Sequence, residues 1–107
     1  MQNLTAPELA AWLADPSREK PVLLDVREPW EVQTCAIAGS LAIPMNSIPE
    51  RLQELDDEAS IVCICHHGGR SMSVAAFLER HGFTKVINLA GGVHAWALQV
   101  DPSMPTY

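Results

Sequence analysis

One stretch constrains this chain more than any other: Ile61-Val62-Cys63-Ile64-Cys65, followed by His66-His67-Gly68-Gly69-Arg70-Ser71. The first five residues form the most apolar run in the sequence and read as a central strand, buried on both faces. Two adjacent glycines interrupt it. A helical pattern then runs from Ser71 to His81, with Val74, Phe77 and Leu78 on one face and Gly82 as its C-terminal stop. An apolar strand that passes through glycines into a helix is the repeating unit of α/β proteins with a parallel sheet.

The rest of the chain repeats that alternation. Thr5-Ala6-Pro7-Glu8 has the spacing of a capping box, and Leu9, Trp12 and Leu13 follow on one helical face until Asp15-Pro16. Val22-Leu23-Leu24-Asp25 reads as a buried strand ending in a carboxylate. Pro29 opens a short helix through Glu31. Gly39-Ser40 turns into a second short strand, Leu41 to Pro44. Ser47-Ile48-Pro49-Glu50 repeats the capping pattern ahead of a helix from Arg51 to Leu55. Val86 to Leu89 is a further strand, and Gly91-Gly92 leads into a last helical turn through Val93, Ala95 and Trp96. The expected fold is α/β, a central parallel sheet with helices on both faces. It forms one domain over residues 1–107, with a core of about residues 4–98 and a tail, 99–107, that carries Pro102 and Pro105 and is expected on the surface.

Composition narrows the function. With 107 residues and 48% hydrophobic content a single folded core is expected. A net charge of -6 argues against nucleic acid as the main partner, because phosphate neutralisation needs a basic surface. It leaves room for a small anion in a local positive pocket. The N-terminus lacks a basic segment followed by an apolar one, and no apolar run approaches a membrane span. Three cysteines, an odd number without a secretory signal, suit a reduced, cytoplasmic setting more than a disulfide framework.

Whether one of those thiols is reactive is decided by the Cys65–Ser71 loop. Ligand sites in open α/β sheets lie at the carboxyl ends of strands. A helix start there offers free N–H groups and the positive end of the dipole, and Gly68-Gly69 lets successive N–H groups turn inward as an anion nest. The thiolate is the nucleophilic form of cysteine, and helix starts and nearby cations favour it. Arg70 supplies a permanent charge, and His66 and His67 add charge or hydrogen bonds according to pH. Cys65 is therefore the candidate nucleophile, with His66, His67, Gly68, Gly69, Arg70 and Ser71 as the cradle for an anionic substrate or product.

At this loop the sequence resembles the rhodanese family, whose active-site loop starts with cysteine and often ends with arginine at the sixth position, as Cys65 and Arg70 do. Asp25-Val26-Arg27-Glu28-Pro29-Trp30-Glu31, with Gly39-Ser40 and Ile43-Pro44, resembles the family's first signature. Gly82-Phe83, Asn88-Leu89 and Gly91-Gly92-Val93-His94-Ala95-Trp96 resemble its closing one. The likeness spans nearly the whole chain. It implies a sulfurtransferase that needs no cofactor: the Cys65 thiolate takes a sulfane sulfur from a small anionic donor such as thiosulfate, and the persulfide passes it to cyanide, a thiol or a protein acceptor. The chain departs from the family in two places. Cys35-Ala36 stands where many members carry glycine-histidine, and His66 where many carry arginine. The second change implies a less cationic pocket at neutral pH, weaker thiosulfate binding and another donor.

Other residues have plainer readings. Asp25 and Arg27 are expected as a supporting ion pair, Cys63 as core, and Trp12, Trp30 and Trp96 as core or loop packing. His81 and His94 are expected at the surface or at helix ends. Cys35 as a sulfur relay or disulfide partner of Cys65 is open. The spacing of His66 and His67 does not match the usual zinc patterns, and no second ligand pair is apparent, so no metal is expected. The rival reactions are those of cysteine-based phosphatases and arsenate reductases. The phosphatase loop, however, is one residue longer than Cys65 to Arg70, and a histidine usually precedes its cysteine, where Ile64 stands here. A non-catalytic interaction module, which often lacks the cysteine, fits poorly. A sulfur-relay partner with little thiosulfate activity fits as well as the first reading, and the oligomeric state is open.

Overall fold

All four expected strands form, and a fifth that no apolar run announces joins them. The structure, a computed structural model, describes residues 1–107. In chain order the strands are β1 (Gln2–Leu4), β2 (Val22–Asp25), β3 (Leu41–Ala42), β4 (Ile61–Ile64) and β5 (Val86–Leu89). They make one sheet in the order β1-β5-β4-β2-β3, parallel throughout. The helices are α1 (Ala6–Ala14), α2 (Pro29–Thr34), α3 (Gly69–Arg80) and α4 (Gly92–Gln99).

The two-residue period of the strands sorts their side chains into two cores. Leu23, Val62, Ile64, Ile87 and Leu89 face one way, against Leu9 and Trp12 of α1 and Val93, Trp96 and Ala97 of α4. Leu24, Ile61, Cys63 and Val86 face the other way, against Val74, Ala75 and Leu78 of α3. Both faces of the sheet are therefore covered, which explains why the central strands are unbroken apolar runs. No helix is long and apolar enough to cross a membrane.

The capping box at Thr5 forms as expected, with the Glu8 carboxylate accepting from the Thr5 N–H and the Thr5 hydroxyl from the Glu8 N–H. Three expectations need correction. Ser47 does not cap a helix: Met45–Ser47 and Pro49–Glu54 are short 3-10 segments, and no side chain caps either. The backbone leaves helical geometry at Arg51 (φ -113°, ψ 17°), so i→i+3 turns stand in place of an α-helix. The last helix, α4, is eight residues long and not a single turn. The tail is not confined to the surface: Met104 is buried in the core beneath α1 and α4, and Tyr107 reaches back to the carboxyl end of the sheet.

That end positions the site. Chain order runs outward from β2 to β3 on one side and from β4 to β5 on the other, so the loops after β2 and β4 leave the sheet side by side at the switch in direction. The Val26 N–H donates to the Ile64 carbonyl at 2.9 Å and ties the two exits together.

Candidate active site

Cys65 is the first residue past β4 and is 1% exposed. Its Sγ accepts the Gly68 N–H at 3.1 Å and lies 3.3 Å from the Ser71 hydroxyl. The curl that brings Gly68 under the sulfur has φ +111°, which only glycine adopts without strain, although a Cβ there would make only ordinary contacts with Leu89 O and Gly91 N. α3 starts at Gly69, so the N–H groups of Gly69, Arg70 and Ser71 have no acceptor within the helix. The result is a strand-end sulfur facing a helix N-terminus.

The floor of the loop is polar and connected. The Ser71 hydroxyl donates to Asn88 Oδ1, and Asn88 Nδ2 donates to Asn3 Oδ1 at 3.1 Å. Asn88 is 1% exposed inside an otherwise apolar strand. Its burial is offset by these bonds, which orient Ser71 toward the sulfur. With its single proton directed to Asn88, the Ser71 oxygen can accept from a Cys65 thiol. A thiolate requires the hydroxyl to turn and donate.

α4 closes the loop from the other side. The Val93 N–H donates to Cys65 O at 2.9 Å and the His94 N–H to His66 O at 3.1 Å. Gly92 touches both carbonyl oxygens so closely that a Cβ would overlap them. Gly92 thus lets α4 dock directly on the Cys65 loop as well as turning the chain.

The charges are arranged differently from the simple reading of the loop. Arg70 stands at the loop edge, but its two terminal nitrogens donate to Glu31 of α2 at 2.7 and 2.8 Å. Glu31 also accepts the Glu28 N–H and the Tyr107 hydroxyl, each at 2.8 Å. The Arg70 guanidinium, against the opposing effect of burial, pulls the Glu31 carboxyl down to about 2. Burial, then the neighbouring His67, holds His66 below the ordinary histidine range. The arginine at the loop edge is accordingly paired, which leaves the helix-start N–H groups as the fixed positive element that faces the Cys65 sulfur.

Asp25 and Arg27 form the expected ion pair, both fully buried, with Nη2–Oδ2 at 2.7 Å and Nε–Oδ1 at 2.9 Å. Arg27 spends its remaining donors on Cys35 O, Glu31 O and the Tyr107 hydroxyl, at 2.6, 3.3 and 3.0 Å. It therefore fixes the C-terminal end of α2 against β2, and through it the carboxylate that meets Arg70. Cys35 packs in the core under α1 and α4, whereas Cys65 packs in the core under α3. Trp12 and Trp96 are core, but Trp30 is 61% exposed and packs edge-to-face with Tyr107, ring centroids 5.6 Å apart.

Four residues of the site escaped the sequence reading in its role. Glu31 read as a helix opener, Asn88 as part of a strand, His94 as a helix-end residue and Tyr107 as tail. His94 in fact lies beside His66 and His67. A buried asparagine in the run Val86-Ile87-Asn88-Leu89 was the one available signal.

Fold and site together define an α/β domain organised around a strand-end cysteine. The family model of the rhodanese-like domain matches residues 5–99. The chain is 36% identical to the rhodanese-like/PpiC domain-containing protein 12 of Arabidopsis thaliana, over its whole length but only 38% of that protein's. It is 35% identical to a sulfurtransferase of Allochromatium vinosum, covering 91% of this chain and 89% of that protein. Among solved structures, the rhodanese-like domain protein of Staphylococcus aureus superimposes with a TM-score of 0.85 at 29% identity, over 100% and 99% of the two chains. The chain belongs to the rhodanese-like domain family, homologous to sulfurtransferases.

Proposed function

We propose that this protein transfers sulfane sulfur through a persulfide on Cys65. The observation that carries the reading is the Cys65 sulfur itself, held at the strand end by the Gly68 N–H with the free N–H groups of the α3 start around it. In the first half-reaction the Cys65 thiolate attacks the donor's outer sulfur. A new S–S bond forms as the donor's bond to that sulfur breaks, and the remainder leaves with the electron pair, as sulfite in the case of thiosulfate. The N–H groups from His66 to Ser71 meet the charge on the outer sulfur of the persulfide. In the second half-reaction a cyanide or thiolate acceptor attacks that sulfur, and Cys65 departs as thiolate. Asp25 and Arg27 support the loop and take no part in the chemistry. The cycle uses no cofactor, and a free thiol of this kind suits the reducing cytoplasm.

A second observation bears on the donor. Because Arg70 is paired with Glu31, its charge is largely spent before a dianion arrives. This favours a sulfur-relay role, in which a low-molecular-weight or protein persulfide replaces thiosulfate as the donor and its thiolate leaves. It also disfavours phosphatase and arsenate chemistry, which need that arginine for the oxyanion.

The test is intact-mass measurement after incubation with thiosulfate or with a low-molecular-weight persulfide, beside Cys65→Ser. A gain of one sulfur atom in the wild type alone supports the mechanism. Loading by the persulfide but not by thiosulfate selects the relay role, and loading by neither, with the thiol reduced and the protein folded, overturns the reading.

A further inference from the structure

Three of the chain's four histidines meet beside the catalytic loop, although they come from two distant segments. His66 and His67 follow Cys65, and His94 comes from the first turn of α4. One ring nitrogen from each lies within 4.8 Å of the others. Ring centroids are 4.0 Å apart for His66 and His67 and 4.9 Å apart for His67 and His94.

The backbone enforces this grouping. The His94 N–H is bonded to the His66 carbonyl, Val93 N–H to that of Cys65, and Gly92 allows α4 to sit directly on both. Meanwhile His66 Nε2 and His94 Nδ1 are buried with no hydrogen-bond partner. Buried ring nitrogens are normally satisfied, and two orphans in one cluster call for a shared partner. Tyr107 stacks flat on His66, 3.9 Å away and inclined by 10°, so it covers a ring face and leaves the in-plane nitrogens free.

We propose that His66, His67 and His94 form a binding site for a borderline divalent cation, with zinc as the reference ion. Neutral imidazoles suit zinc, nickel and copper, and match magnesium or calcium poorly. Three protein nitrogens leave the fourth tetrahedral position for water or a small anion. Glu31 is committed to Arg70, and the Cys65 sulfur faces Gly68 and Ser71, so neither completes the set. Zinc at about 2.0–2.1 Å from each nitrogen needs nitrogens roughly 3.3–3.4 Å apart. The nitrogens, within 4.8 Å of one another, therefore have to draw together on binding, by rotation of the rings about their side-chain bonds. The site stands on its own geometry, whether or not Cys65 carries sulfur.

The experiment is equilibrium dialysis against micromolar zinc under a phosphine reductant, on the wild type, Cys65→Ser, His94→Gln, His67→Gln and His81→Gln. The wild type is expected to hold one zinc per chain, and Cys65→Ser and His81→Gln to match it. His94→Gln and His67→Gln should bind at least about tenfold more weakly, since removing even a supporting residue of a metal site has that effect. Cobalt in place of zinc should show d–d bands without thiolate charge transfer. The proposal fails if zinc binding disappears in Cys65→Ser, if it survives both His94→Gln and His67→Gln, or if the wild type takes up no stoichiometric zinc, in which case water satisfies the orphaned nitrogens. Circular dichroism establishes that each variant is folded, and His67→Gln, on an exposed side chain, carries the test if His94→Gln is not.

Discussion

Cys63 and Cys65 are two residues apart, one inside β4 and one just past its end, in the same core beneath α3, and 0% and 1% exposed. Cys63 lies inside the sheet, in register with Leu24 and Asn88, and burial pushes its thiol up to about 12. Cys65 lies just beyond the last ladder residue. There the chain curls through Gly68, and the sulfur meets an N–H and a hydroxyl. Burial alone therefore does not separate an inert thiol from a candidate nucleophile. Where the ladder stops and the helix start begins, polar groups become available to a sulfur that remains shielded.

The largest expected effect tests the contrast directly. Cys65→Ser should abolish sulfur loading, whereas Cys63→Ser should load fully while losing about 1–3 kcal/mol of stability for a hydroxyl buried among apolar side chains. Intact mass and denaturant melts read the two effects, and loss of loading in Cys63→Ser alone would reverse the assignment. Next comes Gly68→Ala. A Cβ at φ +111° costs about 1–2 kcal/mol and shifts the N–H that reaches Cys65, so loading should slow at least roughly tenfold. Stopped loading experiments on folded protein check this, and an unchanged rate would remove Gly68 from the cradle.

A smaller effect lies in the alkaline limb of stability. The folded Cys63 thiol holds its proton up to about 12, against a reference of 9.0. Between those values the unfolded chain ionises and the folded one does not, so stability falls as pH rises, by up to about 1.4 kcal/mol per pH unit. Cys63→Ala should flatten that limb relative to wild type, in denaturant melts from pH 9 upward, whatever its own offset from the smaller side chain. An unchanged slope would mean that Cys63 is not the group buried in its neutral form.

Much of the fold was legible because its signals are local. β2, β4 and β5 are apolar runs, and Thr5 and Glu8 carry their capping box within four residues. β1 was not legible: Gln2 and Asn3 are exposed, and pairing with β5 alone suffices at a sheet edge. Cys65 and its loop were legible for the same reason, since strand end, glycines and helix start are contiguous. Glu31, Tyr107 and His94 were not. Tyr107 and Glu31 are 76 residues apart, and only the packed fold brings them together. Nothing in Gly91-Gly92 announces that α4 rests on the Cys65 and His66 carbonyls. The expectation that Arg70 offers a free charge rested on the loop by itself, and its counter-ion arrives from α2.

Arg70 also gives the finest test of what distinguishes the surroundings of Cys65 from those of Cys63, namely how much positive charge reaches the sulfur. Glu31→Gln removes the carboxylate and keeps the side chain's shape, so Arg70 regains a net charge near Cys65. One unit of charge at a half-exposed distance is worth on the order of 1 kcal/mol, hence a rise of roughly three- to tenfold in thiosulfate loading. The gain should shrink with added salt, because a partly exposed guanidinium is screened. Loading by an uncharged polysulfide donor should change little. The same substitution removes a carboxylate held near 2, whose contribution to stability is present above about 4.5 and lost as pH falls toward 2. The variant should therefore be less stable than wild type at neutral pH and converge with it in acid. Faster loading from thiosulfate, salt-sensitive and absent with the neutral donor, would establish Glu31 as the residue that turns this site away from dianions. An unchanged rate would mean that the N–H groups of the α3 start, and not Arg70, set the affinity for the donor.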